Sequence, residues 1–95
     1  MAAYLYANLR ITDAERYAAY SREVTAQIAA YGGRFLVRGG ATVVLEGEAA
    51  PQRQVIVEFP DMERLRSWYA SADYQRLLAI RQSASKGTLL AIEGI

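Results

Sequence analysis

Apolar and polar residues alternate at the start of the chain. Ala3, Leu5, Ala7 and Leu9 interleave with Tyr4, Tyr6 and Asn8, so residues 2–9 are predicted to form a strand with one buried face. The period then changes. Tyr17, Tyr20, Val24, Ile28 and Tyr31 recur at helical spacing, which predicts an amphipathic helix. Its start is read in the stretch TDAE, a capping box in which Thr12 caps the first turn and Glu15 reaches back to the Thr12 amide. Its end is read in Gly32, because a left-handed cap favours a residue without Cβ.

Residues 34–38, RFLVR, return to a strand pattern, with Phe35 and Val37 on one face and Leu36 and Arg38 on the other. Gly39 and Gly40 interrupt it before TVVLEG resumes, which reads as a bulge or bend within one strand, with a hairpin turn as the rival. The segment EAAPQR is a loop, and residues 54–59, QVIVEF, set Val55, Val57 and Phe59 opposite Ile56 and Glu58 in the next strand. Pro60 and Asp61 end that strand and cap a helix carrying Leu65, Trp68 and Tyr69. Ser71 caps a second helical piece with Tyr74, Leu77, Leu78 and Arg81, so a break is expected near residues 70–72. Gly87 precedes the last strand, TLLAIEG. The order is βαββαβ in a single domain, residues 1–95. Two right-handed crossovers in that order give an α+β, ferredoxin-like plait, an antiparallel sheet with its helices on one face.

Leu5, Leu9, Phe35, Val37, Val55, Val57, Phe59, Leu90 and Ile92 are expected beneath the helices. The opposite face then carries Tyr4, Tyr6, Asn8, Leu36, Arg38, Ile56, Glu58, Leu89 and Glu93. Such a patch is more apolar than a soluble monomer leaves bare, and it also holds charges that need partners. A homodimer is expected, two sheets packing face to face around a partly polar cleft.

Composition narrows the chemistry. Hydrophobic residues make up 53% of the chain and charged ones 22%, a soluble globular balance. The net charge of +1 gives no electrostatic case for nucleic acid or for a membrane surface. The chain has no cysteine and no histidine, which excludes disulfides, thiolate and imidazole catalysis, the usual zinc triads and a haem histidine. Glu46, Glu58 and Glu93 are scattered without ligand spacing, so no metal is expected. The N-terminal residues carry no signal-peptide pattern and no apolar run reaches membrane-spanning length, so a cytoplasmic location is expected.

The candidate ligand-binding residues are Asn8, Arg38, Glu58, Trp68 and Tyr74. Arg38 and Glu58 are also the catalytic candidates, since Arg can hold a carboxylate or enolate oxygen and a buried Glu can act as a base. Their rival role is a satisfied salt bridge at the dimer interface. Trp68, Tyr69 and Tyr74 serve either as core filler or as the mouth of a pocket at the helix break. Arg81 is read as a solvated or interface charge.

YGGRFLVRGG, then LEG, then QVIVEFPDMERLRSWYASADYQRLLAIRQ and the closing EG resemble the domain of unknown function 1330 family, over almost the whole chain. Ala72 in SADYQ departs from the proline expected there. The resemblance implies a ferredoxin-like protomer in the dimeric α/β-barrel group. Relatives of that architecture include cofactor-independent quinol monooxygenases, muconolactone isomerases and haem-dependent peroxidases; an absent histidine disfavours the last. Two functions stand. One is a barrel-cleft site for a small molecule, in a cofactor-free enzyme acting on an aromatic or enolisable acid. The other is a non-enzymatic binding or stress-related dimer whose barrel is filled by its own side chains. An RNA-recognition motif shares the element order, and residues 5–9, LYANL, resemble its first signature. QVIVEF, however, lacks the basic and aromatic residues of the second.

Overall fold

The computed structural model describes residues 1–95. The elements are β1 (Ala3–Ile11), α1 (Ala14–Ala30), β2 (Arg34–Arg38), β3 (Arg53–Phe59), α2 (Met62–Ala70), α3 (Ala72–Ala84) and β4 (Ser85–Glu93). The sheet order is β2-β3-β1-β4 and every neighbouring pair is antiparallel. This is the α+β, ferredoxin-like plait that the pattern predicts. Tyr17, Tyr20, Val24 and Ile28 of α1 are buried against Leu5, Ala7 and Leu9 of β1 and Val55, Val57 and Phe59 of β3 in one core. No helix is long and apolar enough to cross a membrane.

Capping chemistry sets the helix ends. Asp13, not Thr12, caps α1: its side chain accepts from the Arg16 amide at 3.1 Å. The Thr12 amide is engaged elsewhere, donating to the Ala84 carbonyl at 2.8 Å and tying the end of β1 to the end of α3. At the other end Gly32 takes φ +80°, with its amide on the Ala29 carbonyl and the Gly33 amide on the Ile28 carbonyl. This paired bonding is a Schellman cap. Ser71 breaks the second helical region, and its hydroxyl accepts from the Tyr74 amide, so α3 starts at Ala72 without the expected proline.

Two strands depart from their predicted alternation. In β2, Arg34 lies opposite Glu58 and Phe35 opposite Val57, but Val37 lies opposite Ile56 and Arg38 opposite Val55. Leu36 is the bulge residue. One extra residue turns everything after it to the other face, so Arg38 points towards the helices and Val37 away from them. In β4, Leu89 pairs with Ala7 and Ala91 with Leu5 on the helix side, whereas Leu90 and Ile92 pair with Tyr6 and Tyr4 on the open face. Glu93, opposite Ala3, is likewise on the helix side and not on the open face. Gly87 lies inside β4, opposite Leu9, and does not precede the strand.

TVVLEG forms no strand. Residues 39–52 are irregular, and Val43, Val44 and Leu45 are exposed. Gly39 begins this excursion at φ +72°, where its amide donates to the Gln54 carbonyl and a Cβ would strike the Arg53 guanidinium.

Candidate functional site

The bulge in β2 separates the two residues that sequence pattern places together. Glu58 stays on the open face, where Oε1 accepts from Arg34 Nε at 2.8 Å and Oε2 accepts from the Tyr4 hydroxyl at 3.1 Å. The hydrogen bonds from Arg34 and then Tyr4 hold its carboxyl below the usual carboxylate range, and Glu58 in turn raises the Tyr4 phenol. A depressed carboxylate contributes stability above its unfolded pKa that is lost as pH falls through the folded value. It stays ionised and makes a poor stored base. Asn8, on the same face, accepts from the Gln52 amide at 2.9 Å and fastens the end of the 39–52 loop.

Arg38 sits on the far side of the sheet and makes no pair with Glu58. Its Nη2 donates to the Ser21 carbonyl, the Ser21 hydroxyl and the Thr25 hydroxyl of α1 at 2.8–2.9 Å. Its guanidinium carbon lies 3.9 Å from the centroid of the Phe35 ring. These contacts clamp the bulged strand onto α1.

Between the sheet and the helices lies a cavity of about 30 Å³, lined mainly by apolar side chains with Tyr17, Tyr20 and Trp68 among them. Its lining includes Ser21 and three arginines, Arg38, Arg53 and Arg81, and no acidic residue. Arg81 is the most buried of the three, at 7% exposure. Its only side-chain hydrogen bond runs from Nε to the Tyr74 hydroxyl, at 3.3 Å. The two ion pairs of the chain, Arg34–Glu58 and Arg76–Glu23, involve neither it nor the other cavity arginines. Trp68 is 1% exposed, its Nε1 has no partner, and its ring centroid stands 4.1 Å from that of Tyr74. Arg53 Nε is a second buried donor without a partner. Tyr20 and Tyr74 share a hydrogen bond of 3.0 Å between their hydroxyls. Burial, reinforced by Tyr74, pushes the Tyr20 phenol far above its ordinary value, so it is neutral.

An apolar chamber bordered by three arginines and by no acidic residue is suited to the acid group of an anion. It contains no carboxylate or imidazole to act as base.

The family described as Domain of unknown function (DUF1330) matches residues 2–95. The chain belongs to the DUF1330 family. No curated protein matches it. Among solved structures, the RPA0582 protein of unknown function from Rhodopseudomonas palustris superimposes with a TM-score of 0.81 at 20% identity, over 99% of this chain and 82% of that one. Methylated RPA0582 gives 0.78 at 20% identity, over 99% and 81%. SnoaB, a cofactor-independent oxygenase from Streptomyces nogalater, gives 0.67 at 10% identity, over 99% and 93%. At these identities the likeness is one of fold.

Of the residues singled out in this DUF1330 chain, Trp68 and Tyr74 pack together, Trp68 and Arg38 border the cavity, and Asn8 and Glu58 lie across the sheet from it. Arg81, Tyr20 and Arg53 are the additions. Arg81, read from sequence as a solvated or interface charge, is instead buried, because it falls on one helical stripe with the buried Tyr74 and Leu77.

Proposed function

We propose that this DUF1330 protein binds a small aromatic or enolisable acid whose acid group enters the cavity between its sheet and its helices. Arg81 holds the carboxylate or enolate oxygen. The observation that carries this reading is Arg81, a residue 7% exposed whose charge has no acidic partner. A buried cation left without a counter-charge is costly, so its retention argues for an anion that arrives with the ligand. Trp68 Nε1 offers a second donor from the same wall. With no base in the cavity, the fitting substrate for a cofactor-free reaction is one that is already an anion in water. The protein's part is then to stabilise the negative oxygen with fixed donors.

The test uses the single tryptophan as an internal probe. Titration with benzoate is expected to change Trp68 fluorescence saturably, and isosteric benzamide to bind at least tenfold more weakly. Equal responses to acid and amide would sink the proposal, as would no response to either.

A homodimer built from the open sheet faces belongs to the same reading. The molecule is a slab of about 35 × 35 × 16 Å, and Leu90 and Ile92 stand half exposed beside Tyr4, Tyr6 and Ile56 on its uncovered side. The self-satisfied Tyr4–Glu58–Arg34 cluster favours a barrel filled by its own side chains, the second function considered above, with the ligand inside each protomer instead. Light scattering is expected to give twice the 10.5 kDa chain mass, and Ile92→Glu to give the monomer with its circular dichroism unchanged. A wild-type monomer at micromolar concentration would refute the dimer.

A further inference from the structure

The cavity beside Arg81 is too small for a ring. Its volume of about 30 Å³ suits waters or a carboxylate group. On the other side of Leu5 and Leu89, which line both spaces, runs a groove of about 380 Å³ between α2 and β4. Leu65, Tyr69, Ala70, Leu90 and Ala91 complete its apolar lining. Ala91 stands opposite Leu5 on the helix side of β4, yet it is exposed, because no helix covers that part of the sheet. Leu89 also borders a polar recess with Arg81 and Lys86, and Tyr69 lines recess and groove alike. The charged residues bordering groove and recess are Arg66, Arg81 and Lys86, all cations.

Resting on the acid-binding reading above, we infer that the ligand is an alkyl-substituted aromatic carboxylate divided between these two spaces. Its carboxylate enters past Leu89 to Arg81, and its apolar body lies in the α2–β4 groove. Three features argue for this occupant: the shared Leu5–Leu89 wall, the cationic rim without carboxylates, and the mismatch between cavity size and ring size. Leu89 is then a specificity-determining residue that sets where head and tail part.

The experiment compares benzoate with 4-butylbenzoate, read by Trp68 fluorescence. In the wild type the longer acid is expected to bind at least tenfold more tightly. Ala70→Phe fills the groove from an exposed helix position and is expected to erase that gain, bringing the two acids to equal affinity. Leu89→Phe, which narrows the passage from the strand side, is expected to act in the same direction. Benzoate binding with no gain from the butyl chain overturns the divided site and leaves the acid-binding reading standing; it is also the result if a second copy covers the groove. A gain that survives Ala70→Phe overturns the groove as the tail site. Failure of both acids to bind the wild type removes both readings together.

Discussion

Trp68→Ala is expected to lower the stability of the domain by about 3–5 kcal/mol, the usual cost of emptying a buried aromatic site. The ring lies within 4.1–6.1 Å, centroid to centroid, of Tyr74, Phe59 and Tyr69, so its removal deprives three neighbours of packing at once. Domains of this size are stable by roughly 5–15 kcal/mol, so the loss removes about a fifth or more of the total. The melting temperature should fall by on the order of 20 °C. Trp68→Phe separates packing from hydrogen bonding. Because Nε1 has no partner in the free protein, Phe forfeits area but no hydrogen bond, and its cost is expected to stay near 1 kcal/mol. Thermal unfolding followed by circular dichroism measures both. A Phe variant as unstable as the Ala variant would mean that the indole N–H is satisfied inside the fold and is not held for a ligand.

Which features the pattern revealed follows from where local rules decide the structure. The helix α1, the Gly32 cap, the Ser71 break and the β1 and β3 faces rest on periodicity and capping chemistry, which act over a few residues. The β2 bulge does not. Leu36 could sit in regular alternation as easily as out of it, and only pairing with β3 decides. One residue of slip moved Arg38 from the open face to the helix side, and with it the whole placement of the candidate site. In β4 the doublet Leu89-Leu90 is apolar on both sides, so alternation has two equal solutions until the strand pairs with β1. The strand expected at TVVLEG failed for a related reason. Its residues have β propensity, but within one protomer they find no neighbouring strand to pair with. The cavity was illegible in sequence because its defining property is an absence, a buried arginine without a carboxylate.

Arg81→Met is expected to separate the ligand from the fold. Methionine preserves much of the length and apolar stem of arginine while removing a buried charge that no residue of the chain neutralises. Replacing buried ionic groups by packed apolar ones is often neutral or stabilising by about 1–4 kcal/mol. The melting temperature of this variant should therefore equal or exceed that of the wild type. The Tyr74 hydroxyl keeps its 3.0 Å bond to Tyr20, so the substitution leaves no orphaned group behind. Benzoate affinity moves the other way. Losing one member of a buried, hydrogen-bonded charge pair costs about 2–5 kcal/mol in binding, or at least a thirtyfold loss on the Trp68 titration. Arg81→Lys is expected to fall between, since it keeps a charge but not the planar fork that meets two oxygens. A residue kept for structure alone predicts the reverse pairing, a lower melting temperature with affinity unchanged. Stability and binding therefore change in opposite directions only if the cation is held, at a cost to the fold, for an anion that comes from outside.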